Sequence, residues 1–101
     1  MRLTPNLITA TLVFSLSACG AGETSDFVDA CLASSNMQRP MCECLADKAS
    51  RELSPTGVEL LIAGMQSDDE KAEKLRSQLE MPELMKTGMF MVNAPSECSA
   101  Q

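Results

Sequence analysis

Apolar residues beyond position 25 recur at helical spacing, with no convincing strand-like alternation. Cys42, Leu45, Ala46, Ala49 and Leu53 fall at i, i+3, i+4, i+7 and i+11, a stripe for burial on one helix running from Pro40 to about Leu53. Pro40 suits its first turn, where a missing N–H costs nothing. Upstream, Phe27, Ala30, Cys31 and Ser34 share one side of a helix spanning about Asp26–Ser35, widened by Val28 and Leu32. Thr24-Ser25-Asp26 offers short oxygen-bearing side chains to cap its start. Residues 35–39 then read as a loop.

Three further helices follow. Ser54-Pro55 opens the first, with Leu53 and Val58 placed as a hydrophobic staple and Val58, Leu61, Ile62 and Met65 as its stripe. Gly64 weakens this helix or lets a neighbour approach closely. Ser67-Asp68-Asp69-Glu70 has capping-box form, its acids suit the positive end of the helix dipole, and Ala72, Leu75 and Leu79 point inward. Glu70 and Lys74 form an i, i+4 pair. The last helix starts at Pro82. Its expected core face is Met81, Leu84, Met85, Gly88, Met89 and Val92, its expected end lies at Asn93–Ser96, and Cys98 falls in a tail. The fold class is all-α: a small bundle of four or five short helices stapled by two disulfides.

Composition changes this picture in one respect. The chain has 101 residues, 45% hydrophobic and 22% charged, with three Phe, no Trp or Tyr, eight Met and no His. Without an imidazole, Ser-His-Asp and Cys-His catalysis are excluded, and the usual catalytic zinc sites lose a favoured ligand. A net charge of −6 opposes a nucleic-acid partner. No phosphate loop and no defining pair of catalytic carboxylates is present. A non-enzymatic protein with no cofactor is expected.

The first 18 residues differ from the rest. Met1-Arg2 is short and positive, and Leu7–Leu16 is apolar apart from Thr and Ser, too short for the roughly 20 residues of a membrane span. Leu16-Ser17-Ala18-Cys19 resembles the lipobox of bacterial lipoproteins. The resemblance covers about the first 20 residues. It implies cleavage before Cys19, diacylglycerol on the Cys19 sulfur and acylation of the new amino terminus. Gly20, where Asp would mark inner-membrane retention, favours an outer-membrane location facing the periplasm. The alternative is an ordinary signal peptide cut after Ala18 or Ala21. The expected division is signal peptide 1–18, lipidated Cys19 with a short tether 19–25, and helical domain 26–101. Several acyl chains give stable anchoring where one does not. Cleavage would remove Arg2 and keep all 14 acids, so the anchor rather than a basic face would hold the domain at the membrane. The expected partners are the membrane and an unidentified envelope protein.

Five cysteines make an odd number for an exported protein. Lipidation of Cys19 leaves Cys31, Cys42, Cys44 and Cys98. Positions i and i+2 on a helix point about 200° apart, so Cys42 and Cys44 need different partners. The reading favours Cys31–Cys42 with Cys44–Cys98. Its competitor pairs Cys31 with Cys44 and Cys42 with Cys98. Two sharper chemistries stand beside structural bridging. Cys42 and Cys44, in a helix first turn, could exchange disulfides. Met81, Met85, Met89 and Met91 could bind Cu(I), which prefers soft ligands. The plainer reading of the methionines is core filling, which leaves Phe90 and Met91 as a possible partner surface. The acids 68–70 read as capping rather than a cation site.

Overall fold

The expected prolines stand at the starts of α2 and α3, and the expected Ser54 caps α3. The computed structural model describes residues 21–99. It contains α1 (Ala21–Ser34), α2 (Arg39–Glu52), α3 (Pro55–Met65), α4 (Asp69–Ser77) and α5 (Met81–Ser99), with no strand among the described residues. Ser54 Oγ accepts from Gly57 N–H at 3.1 Å, and Pro55 follows at the first helical position. Leu53 and Val58 are both buried across that junction. No described helix is long and apolar enough to cross a membrane.

α1 packs on α2 and α3, α3 on α4 and α5, and α2 on α5. The main core gathers Phe27, Cys31, Cys42, Leu45, Ala49, Val58, Ile62 and Phe90. A second, smaller core joins Leu60 and Ala63 of α3 to Ala72 and Leu75 of α4. α3 therefore buries two faces, where its spacing announced one. Leu60 and Ala63 lie off the Val58–Ile62 stripe and turn toward α4.

Three boundaries differ from expectation. α1 begins at Ala21, five residues before Asp26, so the segment expected as a tether is helical from Ala21 onward. Thr24-Ser25-Asp26 lies inside the helix and no residue there breaks it. The α3–α4 turn is capped by Asp68, whose Oδ1 accepts from Lys71 N–H at 3.2 Å, and not by Ser67. Ser67 sits instead at φ 59° and closes α3: its N–H reaches Gly64 O at 3.1 Å, and that of Asp68 reaches Ala63 O at 2.9 Å. That pair of bonds is the Schellman arrangement, with serine in the left-handed position glycine usually takes. On α4 the ion pair is Glu73–Arg76 at 2.9 Å rather than Glu70–Lys74.

The third difference matters most. α5 continues through Pro95 to Ser99, carrying Cys98 on the helix instead of in a tail. Its buried residues are Thr87, Phe90, Ala94 and Cys98, at i, i+3, i+7 and i+11. Of the expected inward face, Met81, Met85, Met89 and Val92 are turned to solvent, while Leu84 stays partly buried against the second core.

The N-terminal half of α5 meets the start of α3 closely. Glu83 Oε2 accepts from Ser54 N–H at 2.9 Å. The Thr87 hydroxyl, buried, donates to Glu83 O at 2.9 Å. A Cβ on Gly57 would lie 2.8 Å from Thr87 Oγ1 and 3.5 Å from Leu53 Cβ. Thr87 has little room to yield, being β-branched, buried and already bonded. Gly57→Ala should therefore destabilise the fold by about 1–3 kcal/mol, read as a lower urea midpoint.

The Ser54 N–H holds the Glu83 carboxyl below its ordinary pKa, helped by nearby Lys86. A carboxyl depressed in the fold adds stability above the unfolded-chain value and loses it as pH falls through the folded one. Thermal midpoints measured across the acid range should decline less steeply for Glu83→Gln than for the parent protein.

Candidate functional site

The four cysteines of the described chain form two bridges, Cys31–Cys42 and Cys44–Cys98. The first joins α1 to α2 across 11 residues and the second joins α2 to α5 across 54. Cys42 and Cys44, two residues apart on α2, reach opposite neighbours and do not bridge each other. Cys42 is fully buried and Cys31 nearly so. Cys44 is half-buried, and its bridge borders an open hollow of about 470 Å³ lined by Met37, Pro40 and Met41. Lys48 reinforces the α2–α5 contact, with Nζ 2.8 Å from Glu97 and 3.1 Å from Glu52 on its own helix. Those two acids, Glu97 first, raise the lysine's pKa.

α5 overturns the expected partner surface. Phe90 is only 5% exposed and packs in the main core, and Met91 is half-buried against it. The exposed apolar residues are Met81 (65%), Met85 (63%), Met89 (51%) and Val92 (68%). They were expected inside because they form the more hydrophobic stripe. Bridging of Cys98 and burial of Phe90 and Ala94 select the opposite face.

The same rotation separates the methionines. Met81, Met85 and Met89 line one exposed face, while Met91 turns toward the core. At 1.5 Å per residue, Met81 and Met89 are about 12 Å apart along the axis. One Cu(I) ion cannot meet all three thioethers from a single straight helix. Among the described residues no group of three His, Cys, Asp or Glu side chains could hold a metal ion. The acids 68–70 are exposed and spread over a cap and a first turn, as the capping reading has it.

Beside the methionine stripe, α3, α4 and α5 border an open groove of about 430 Å³. Leu60, Leu61, Leu84 and Met91 line it, with Gly64 and Gly88, Thr87, Ala72 and Arg76. Gly64 and Gly88 sit inside helices, where glycine costs about 0.5–1 kcal/mol relative to alanine. Unlike Gly57, neither has any atom within 4 Å of where a Cβ would stand. Gly64 was expected to weaken α3 or admit a close neighbour, and no neighbour approaches it. The groove's residues converge through packing that no spacing reveals. Cys19, the expected lipidation residue, and residues 1–18, expected as a signal peptide, lie outside the described residues.

Burial orders the two bridges by accessibility. Under mild, native-state reduction, alkylation followed by mass spectrometry should label Cys44 and Cys98 well before Cys31 and Cys42. Simultaneous labelling of all four would contradict that order.

Comparison with known proteins returned nothing: no family model, no curated protein and no solved structure matches this chain.

Proposed function

We propose that the protein is a lipid-anchored helical lipoprotein of the bacterial envelope, acting as a non-catalytic docking module for another envelope protein. The observation that carries this reading is the exposed stripe Met81, Met85, Met89 and Val92 on α5. Contiguous apolar side chains at such exposure are typical of interaction surfaces. Methionine suits them, because its flexible, polarizable side chain adapts to varied partners. Four residues spaced 4, 4 and 3 apart along one helix match the face that an amphipathic partner helix would bury.

The lipobox-like Leu16-Ser17-Ala18-Cys19 supports the anchor. Acyl chains on Cys19 would hold the domain at the membrane, in the outer membrane facing the periplasm. Two bridges suit an oxidising compartment. Disulfide exchange through Cys42 and Cys44 is the weaker reading, since each already holds a different helix and Cys42 is sealed in the core.

Two measurements test the parts separately. Metabolic labelling with palmitate should mark the parent protein and not Cys19→Ala; label on the variant would remove the anchor. A photocrosslinker at position 85 should capture one discrete envelope partner in cells, and Met89→Glu should abolish the adduct. An unchanged adduct pattern in the variant would refute docking on this face.

A further inference from the structure

We propose that the groove between α3, α4 and α5 binds a single-chain aliphatic carboxylate, its chain over Gly64 and Gly88 and its head group at Arg76. The site borders the exposed methionine stripe and shares Gly88 with that face of α5, but none of Met81, Met85, Met89 and Val92 lines it, and the inference does not depend on that surface being a protein-docking face.

The glycines carry the first step. Both lie in regular helix, where alanine would hold the backbone better. Gly57 has an internal reason for lacking a side chain, the Thr87 hydroxyl 2.8 Å from its would-be Cβ. Gly64 and Gly88 have none, and both face the same groove. Both are exposed at the groove's mouth, so their missing methyls leave backbone accessible to an occupant there.

Volume and lining define that occupant. The groove measures about 430 Å³, within the range of small-molecule sites. At roughly 30 Å³ per heavy atom, the liquid volume of water, it holds about 14 such atoms. Leucine and methionine form the walls, no aromatic ring lines it, and the shape suits a flexible aliphatic chain rather than a flat ring system. Dodecanoate has the matching size.

Arg76 supplies polarity. It is the one charged residue lining the groove, in a chain of net charge −6. Its Nη1 meets Glu73 at 2.9 Å, an exposed i, i+3 pair. A guanidinium carries five donors, so this contact leaves others to meet a carboxylate at the groove's edge. The exposed pair to Glu73 is weak enough to be exchanged for one in a drier setting.

The test is calorimetric titration of sodium dodecanoate, below its micelle concentration, into the purified oxidised protein without detergent. Saturable binding of one molecule per chain is expected, with dodecanol of equal length binding at least about tenfold more weakly for want of the charge-assisted bond. Arg76→Gln should weaken dodecanoate by a similar factor of about ten and leave dodecanol unchanged. Gly64→Ala with Gly88→Ala should raise the melting temperature by roughly 5 °C, because alanine meets no clash, while lowering affinity at least about fivefold. That opposed pair of changes separates lost binding from lost folding. Gly88→Leu should abolish binding in a protein that still melts cooperatively. Met85→Glu should leave binding intact, so failure of the groove and failure of the docking face are read apart. Absence of saturable binding, equal affinity for dodecanol, or full affinity in the double alanine variant would overturn the proposal.

Discussion

The structure depends on the angle between two side chains on one helix. Cys42 and Cys44 leave α2 about 200° apart, and each meets a different neighbour. One bridge fixes α1 against the core side of α2. The other brings α5 to the opposite side, from 54 residues away. In the loop-entropy model, closures of these lengths are worth about 3 and 4 kcal/mol respectively. Domains of this size are typically stable by only about 5–15 kcal/mol, so the bridges are a large share of what holds the helices together.

The second bridge also determines which way α5 faces. Once Cys98 lies on the helix, Ala94, Phe90 and Thr87 must share its side. Thr87 then reaches Gly57, and Glu83 reaches the N–H of Ser54, giving α5 a polar contact with the start of α3. Burying Thr87 in place of a methionine costs little, because its hydroxyl is satisfied by Glu83 O. Met81, Met85, Met89 and Val92 are left in water as the consequence.

Much of this was legible in the residues. The stripe on α2, the Ser54-Pro55 start of α3 and the inward Ala72 and Leu75 of α4 follow from spacing and capping alone, because each concerns neighbours within one helix or one turn. The face of α5 was not legible, and the error traces to Pro95. Read as a helix end, it put Cys98 in a tail and removed the constraint that orients the helix. Hydrophobicity then pointed to the methionine face. A helix continued through Pro95 displays Thr87, Phe90, Ala94 and Cys98 on one side, so the correct face was present in the sequence but carried by a covalent bond between distant residues. The two-sided burial of α3 and the groove were hidden for a related reason, since both arise where α4 and α5 meet α3 from different directions.

The bridges and the exposed surface are connected energetically. A small helical domain held by burial alone would gain by turning its most apolar stripe inward and replacing glycines that no neighbour crowds. This chain does neither: Met81, Met85 and Met89 stay in solvent, and Gly64 and Gly88 stay open at a groove. Covalent closure makes that arrangement sustainable, because stability supplied by restricting the unfolded chain does not require the apolar face to be covered. The core can then be small, with alanine and cysteine making up half of its buried apolar residues, while Met81, Met85, Met89 and the Gly64–Gly88 groove remain available to something outside the fold. Removing the Cys44–Cys98 constraint would also free α5 to turn its more hydrophobic stripe inward, so the same bond that stabilises the domain keeps its candidate binding surfaces exposed.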